Sequence, residues 1–153
     1  GPVFVGKGTI VKSGAYIEGP VWIGENCKIG PNCYIRPFTS VADNCVVGNA
    51  VEVKNSIIST GSKIAHLSYV ADSIIGENCN LGGGTILANF RFDGKNIHSM
   101  VKGNLIDTGR RKFGAVLGDR VQVGVHTSIM PGVLVGENSA IYPNSLVKRN
   151  VEV

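Results

Sequence analysis

Aliphatic residues recur at every sixth position over most of the chain. The series runs Val5, Val11, Ile17, Ile23, Ile29, Ile35, Val41, Val47 and Val53. It resumes at Ile58, Ile64 and Val70 and at Ile75, Leu81 and Leu87, and then continues from Leu117 through Val123, Ile129, Val135 and Ile141 to Val147. A period of six fits neither the helical turn nor two-residue alternation along a long strand, so each hexad reads as one flat side of a coil. Gly often follows the aliphatic residue, as at Gly24, Gly48 and Gly118, where a repeated sharp corner needs an unhindered backbone. Four positions after the aliphatic residue stands a small one, such as Ala15, Cys33, Thr39, Ser62 or Thr85. Aliphatic and small side chains therefore share the interior of an all-β hexapeptide solenoid.

This pattern resembles the left-handed parallel β-helix of the hexapeptide acyltransferases, in which three six-residue sides make one triangular coil. The left hand is implied by that resemblance and not by the spacing. Taken in threes, the hexads give about seven coils, and at strand spacing these form a prism on the order of 34 Å tall. The sides beginning at Val53 and Val70 hold five residues each and end in the pairs Ile57-Ile58 and Ile74-Ile75, so both shortenings fall on the same side of successive coils. The gap from Leu87 to Leu117 is an excursion, residues 88–116, and excursions from repeats commonly carry function. Within it Asp93-Gly94 suggests a turn, and the stretch from Ile97 to Ile106 alternates well enough for a short hairpin.

One solenoid uses most of the 153 residues, so residues 1–153 are expected to be a single domain. Gly1-Pro2 has the look of a cleavage scar, and the chain is expected to be a piece of something longer. No signal peptide or apolar run of membrane length is legible, and a cytoplasmic setting is expected. The formal net charge of +4 favours anionic small molecules over nucleic acid, which would call for a denser basic patch. The four cysteines, Cys27, Cys33, Cys45 and Cys79, all take the small interior position, with no CxxC spacing to suggest zinc. Counting coils puts Thr9, Cys27, Cys45, Ser62 and Cys79 in one vertical column of free thiols and hydroxyls acting as small core groups.

Against this regular background the exceptions stand out. Arg36 and Lys54 follow Ile35 and Val53, eighteen residues apart, and so occupy the same place on adjacent coils. Two stacked cations repel unless an anion or solvent intervenes, which makes them either a phosphate cradle or a pair of solvated surface charges. In Lys63-Ile64-Ala65-His66-Leu67-Ser68-Tyr69, His66 stands two positions after Ile64, where its side chain should leave the solenoid. An outward imidazole is available for proton transfer near neutral pH, although an exposed His is often only a surface residue. His98, in the excursion, and His126 do not share this setting.

Three stretches resemble the acetyltransferase half of the bifunctional sugar-1-phosphate enzymes that make UDP-N-acetylglucosamine. They are Val51-Glu52-Val53-Lys54-Asn55-Ser56, Gly61-Ser62-Lys63-Ile64-Ala65-His66-Leu67-Ser68-Tyr69, and Ile75 to Ile86 with Asn80 and Gly82-Gly83-Gly84. The long excursion, with Gly109-Arg110-Arg111-Lys112, is more similar to the archaeal and thermophile type than to the bacterial form. The nucleotidylyltransferase half, with its Gly-rich nucleotide loop, is missing, and an N-terminal domain of that kind is expected to be attached in the whole protein.

The resemblance implies roles residue by residue. His66 would be the general base that takes a proton from the amino group of glucosamine-1-phosphate as it attacks the thioester of acetyl-CoA. Arg36, Lys54, Tyr69, Asn80 and Lys95 would bind the sugar phosphate. Asn89 and Phe90, within Leu87-Ala88-Asn89-Phe90, match the place that holds the acetyl group, and Asn89 is a candidate for orienting it. Gly83 would meet the cofactor through its backbone. Contacts to the pantetheine arm fall on Val125 and Pro143, where only backbone interactions carry over because the side chains are larger than the family's. No metal is required for this chemistry.

A hexapeptide solenoid can instead be a non-catalytic regulatory or trimerisation domain of a sugar-1-phosphate nucleotidylyltransferase. That role would not need His66, Tyr69, Asn89 and the cations together. A γ-type carbonic anhydrase on this fold would need three His ligands, and the chain has only His66, His98 and His126. The resemblance also implies a homotrimer with active-site clefts between parallel prisms. Glucosamine-1-phosphate and galactosamine-1-phosphate differ by one hydroxyl that the sequence does not read. Arg110, Arg111 and Lys112 stand either as contacts to the cofactor's phosphates or as a solvated run.

Overall fold

The computed structural model describes residues 1–152. Each coil gives one short strand to each of three sides; in the first coil these are Val3–Val5, Ile10–Val11 and Tyr16–Ile17. Strands at corresponding places pair in parallel, producing three seven-stranded sheets. They end in the last full coil at Leu134–Val135, Ala140–Ile141 and Leu146–Val147, and a bridge from Val151 to Val135 opens a further turn. The described residues contain no helix. The architecture is the parallel β-solenoid expected from the period of six.

The hexad explains the packing. Ile23, Ile29, Ile35, Val41, Val47 and Val53 are all fully buried, and their equivalents through Ile129 line the same axis. The flat sides are only two to four residues long, so an outward side chain precedes each buried aliphatic one, and the corner residues take up the rest of the hexad. Pairing of Val53 with Val70 and of Ile58 with Ile75 places both shortened sides between the third sheet and the first, as the count required. Cys27, Cys45, Ser62 and Cys79 are buried above one another, Thr9 Oγ1 accepts from Cys27 N at 2.9 Å, and Ser62 Oγ accepts from Cys79 N at 2.9 Å. All four cysteines are buried and free.

The excursion leaves the third sheet after Leu87. Its first turn has Gly94 N donating to Arg91 O at 3.1 Å, and a two-stranded hairpin follows, His98–Val101 against Asn104–Asp107. Lys102 and Gly103 form its tip with φ of 48° and 78°, the left-handed pair that a tight hairpin turn demands. The hairpin is anchored to the last coils. Ser99 Oγ donates to Gly132 O at 2.7 Å, Asn150 Nδ2 donates to Met100 O at 2.8 Å, and Ile97 is buried. At its base Arg111 Nε donates to Gly94 O at 2.8 Å, and Phe90 bridges to Lys112. Gly114 is required where the chain rejoins the solenoid, because a Cβ there would collide with Ser73 Oγ and the Ala71 carbonyl.

Candidate functional site

The third face and the corners on either side of it carry most of the candidate residues. Its outward column holds Tyr34, Glu52 and Tyr69 on coils two to four, paired in register. The next column, at the end of the same strands, holds Glu18, Arg36, Lys54 and Ala71 in successive coils, joined by Glu18 N to Ile35 O and Arg36 N to Val53 O at 2.8 Å each and by the pairing of Lys54 with Ala71. Arg36 and Lys54 are therefore neighbours in the stack. With Glu18, Pro37, Phe38 and Asn55 they line a cavity of about 400 Å³.

Each cation has its own carboxylate. Arg36 Nη1 donates to Glu52 Oε1 at 2.8 Å, and the guanidinium carbon lies 5.5 Å from the centre of the Tyr34 ring. Lys54 Nζ donates to Asp72 Oδ2 at 3.3 Å and to Oδ1 at 3.4 Å. These partners hold two like charges side by side without a bound anion. Arg36 Nε nevertheless is buried with no partner, a donor whose desolvation costs about 1 to 3 kcal/mol until an acceptor arrives.

Asp72 collects further donors. Asn55 Nδ2 reaches Oδ1 at 2.7 Å, and Asn89 Nδ2 reaches Oδ2 at 2.5 Å. Burial alone would raise the Asp72 pKa, but the hydrogen bonds from Asn55 and Asn89 and the Lys54 charge outweigh it and leave the carboxyl below its ordinary value. Tyr69 stands at the same cluster. Burial first, then the Glu52 and Asp72 carboxylates, push its phenol up, while Arg36 and a hydrogen bond with Asn89 pull the other way. Arg36, Lys54, Tyr69 and Asn89 are thus brought together, and Glu52, Asn55 and Asp72 join them without having been assigned roles from sequence. The signal was present as spacing: Asn55, Asp72 and Asn89 are seventeen residues apart in turn, the length of a coil with one shortened side.

His66 sits on the other corner of the same face. It ends the strand Lys63–His66, is exposed, and pairs with Asn49 on the coil before. Beside it on the following coil is Gly83, where an added Cβ would lie 3.5 Å from the His66 Cβ. His66 O accepts from Gly84 N at 3.2 Å, Gly83 O from His126 N at 2.8 Å, and Val125 O from Asn144 N at 2.8 Å. His66, Gly83, Val125 and Pro143 consequently form one vertical column. The hydrogen bonds between coils leave the Gly83 N–H free of a partner among the described residues. His126 occupies the adjacent column beside Gly84.

Phe90 is on the opposite corner from Gly83, Val125 and Pro143. With Ala88, Phe92, Ile97, Met130 and Pro131 it lines a mainly apolar cavity of about 540 Å³ beneath the excursion. Two candidates are not joined to either group. Asn80 is exposed on the second sheet, between Lys63 and Gln122, and thus faces away from Tyr69. Lys95 is in the excursion turn, its N–H donating to Asp93 Oδ1 at 3.2 Å, with no contact to Arg36 or Lys54 among the described residues. Among the described residues of the single chain no three His, Cys, Asp or Glu side chains group as metal ligands, and His66, His98 and His126 are not brought together within it.

A parallel β-solenoid of six-residue sides, with Arg36 and Lys54 side by side on one face and an outward His66 at its edge, defines a hexapeptide-repeat protein. The chain belongs to the GMPPB C-terminal domain family, whose model matches residues 17–130. It is 50% identical over 151 residues to the bifunctional sugar-1-phosphate nucleotidylyltransferase/acetyltransferase of Sulfurisphaera tokodaii, covering 99% of this chain and 38% of that protein. It is 53% identical over 106 residues to the bifunctional protein GlmU of Methanococcus vannielii, covering 69% of this chain and 25% of that protein. The chain thus spans well under half the length of these relatives and corresponds to their C-terminal region. Among solved structures it is similar to the polySia specific acetyltransferase NeuO, with 21% identity, a TM-score of 0.46, and coverage of 98% of this chain and 78% of that one.

Proposed function

We propose that this chain is an acetyl-CoA-dependent N-acetyltransferase acting on an amino-sugar 1-phosphate, with glucosamine-1-phosphate the first substrate to try and galactosamine-1-phosphate the second. The observation that carries this reading is that His66 and Gly83, whose N–H is free of a partner among the described residues, stand on adjacent coils of one corner column, at the edge of a face bearing Arg36 and Lys54. The names of the bifunctional relatives, which include acetyltransferase, support it.

The chemistry follows from these groups. A sugar ammonium must lose a proton before its nitrogen attacks, and a positioned His supplies ~10²- to 10⁴-fold in such a step. The thioester oxygen gains negative charge as the tetrahedral intermediate forms, and the Gly83 N–H is a donor available to it. Arg36 and Lys54 would take the phosphate, with Arg36 Nε gaining the acceptor it lacks. Val125 and Pro143 extend the His66 column for the cofactor's arm. Asn80, on another face, and Lys95, in the excursion, would meet the substrate only across a cleft between prisms. The working assembly would be the homotrimer that the resemblance implies. The whole protein would add a nucleotidylyltransferase domain and work in the cytoplasm.

The test is an assay with acetyl-CoA and each amino-sugar phosphate, following thiol release and the acetylated product. Turnover that depends on the phosphorylated amino sugar supports the reading. Absence of product with either sugar, from folded and assembled protein, overturns it in favour of a non-catalytic assembly domain.

A further inference from the structure

Asp72 occupies a corner where its backbone takes a φ of 52°. That conformation does not explain a carboxylate. Seven of the fourteen non-glycine residues with positive φ are Asn, including Asn55, the equivalent corner one coil earlier, and Asp72 is the one Asp among them. Asn serves the left-handed corner at least as well, because its side chain is equally short and uncharged. The charge at this place must therefore answer to its surroundings.

Those surroundings are all donors. The Asp72 side chain is only 5% exposed, and its two oxygens accept from Lys54 Nζ, Asn55 Nδ2 and Asn89 Nδ2. An ionised carboxylate can only accept, so the Asn89 atom facing it must be the amide nitrogen, which settles which way that amide is turned. Tyr69 stands close enough to the same Asn89 side chain for that amide to pull its phenol down. The Asn89 carbonyl oxygen is left without a partner among the described residues and is not sealed from solvent. An acceptor suits an amine or hydroxyl hydrogen of the substrate. It does not suit an oxyanion.

We propose that Asp72 is a positioning residue for the amino-sugar phosphate: its carboxylate holds the Lys54 ammonium beside Arg36 and turns the Asn89 amide so that its carbonyl oxygen faces substrate. This rests on the acetyltransferase reading. It moves Asn89 from the acetyl group to the sugar side of the reaction. Neither effect involves the His66 column, so the cofactor's binding is independent of Asp72.

The experiment is Asp72→Asn in the full chain, with kcat, both KM values and the melting temperature measured. Asn should keep the corner. It also replaces an acceptor oxygen with an NH₂ group that opposes the donors of Asn55, Asn89 or Lys54. The expected result is a fall of at least tenfold in kcat and a rise of at least fivefold in KM for the sugar phosphate, with KM for acetyl-CoA within twofold of the parent. A merely structural role would lower the active fraction and the melting temperature while leaving both KM values unchanged, and that pattern overturns the proposal. If Asp72→Asn does not fold, Asp72→Glu carries the same measurement, because it keeps the charge and shifts the carboxylate by one methylene. Failure of both variants to fold makes Asp72 structural and overturns the proposal too. An inactive parent protein defeats the acetyltransferase reading itself, and the Asp72 assignment falls with it; an active parent with indifferent variants defeats only the assignment.

Discussion

The Cβ of His66 lies 3.5 Å from the place where a Cβ on Gly83 would stand, one coil further along the same corner. The distance is ordinary van der Waals contact, and Gly83 is not at positive φ, so the glycine is demanded neither by the backbone nor by one extra methyl group. Gly83→Ala should therefore fold and retain most activity. Gly83→Leu should fill the space beside the imidazole, raising KM for acetyl-CoA severalfold or more with little change in melting temperature. Equal activity of the Leu variant would remove the cofactor from this corner.

His66→Ala should abolish most acetyl transfer and spare the fold, since the side chain projects from the solenoid and supports none of its core. The loss should be in turnover, about a hundredfold or more, with acetyl-CoA still binding. Turnover within twofold of the parent would exclude His66 as the base.

Arg36→Ala and Lys54→Ala should each raise KM for the sugar phosphate, since a lost charge-assisted contact costs about 1.5 to 3 kcal/mol. Their effects on stability should differ. Glu52 is 36% exposed and tolerates losing Arg36, as surface ion pairs contribute only about 0 to 1 kcal/mol. Asp72, at 5% exposure, is left with two amide donors when Lys54 goes. Melting curves should thus show the larger drop for Lys54→Ala. An unchanged preference for phosphorylated over unphosphorylated amino sugar in either variant would dismiss the cradle.

Stability should also depend on pH through Asp72. Its carboxyl titrates below its ordinary value of 3.8, so the folded protein favours the ionised form more than the unfolded chain does. The resulting stabilisation is fully present above about pH 5 and is lost as pH falls through the folded pKa. The gap in melting temperature between the parent and Asp72→Asn should be constant near neutrality and shrink below about pH 4. A gap that widens on acidification would reverse the sign of this linkage.

The solenoid was legible because its core repeats. One aliphatic residue per side, from Val5 to Val147, fixes the period, and the five-residue sides after Val53 and Val70 even fix which sheet is shortened. The candidate groups stood out where they broke that repeat, as His66, Arg36 and Lys54 did. Their partners were harder to read. Lys54 meets Asp72 diagonally between coils, at eighteen residues where the stacked neighbour is seventeen away, and Asp72 itself sits where a turn residue is unremarkable. The excursion's hairpin was visible as alternation, but its seat on Gly132 and Asn150 depends on tertiary contacts with no period.

Cys27, Cys45 and Cys79 should be slow to label and dispensable for catalysis. Burial pushes the Cys45 thiol up to about 11 and raises Cys79 as well, so at pH 8 only about one Cys45 in a thousand is the reactive thiolate even before access is considered. Stacked side chains on parallel strands point the same way, which disfavours a bridge despite the ~4.8 Å strand spacing. Each thiol instead donates across to the next coil, Cys27 to Ala42 O, Cys45 to Ser59 O and Cys79 to Gly118 O, all at 3.1 Å. Thr9 and Ser62 make the same bond from the same column, to Gly24 O at 2.7 Å and Gly76 O at 2.6 Å. A serine at any of the three cysteine positions thus has an acceptor waiting, worth about 0.5 to 1.5 kcal/mol, which alanine forgoes. The triple Ser variant should melt above the triple Ala variant, and both should keep parental kcat. Rapid modification of the native protein by a thiol reagent, or a triple Ala variant more stable than triple Ser, would show that this column is not the closed hydrogen-bonded stack described.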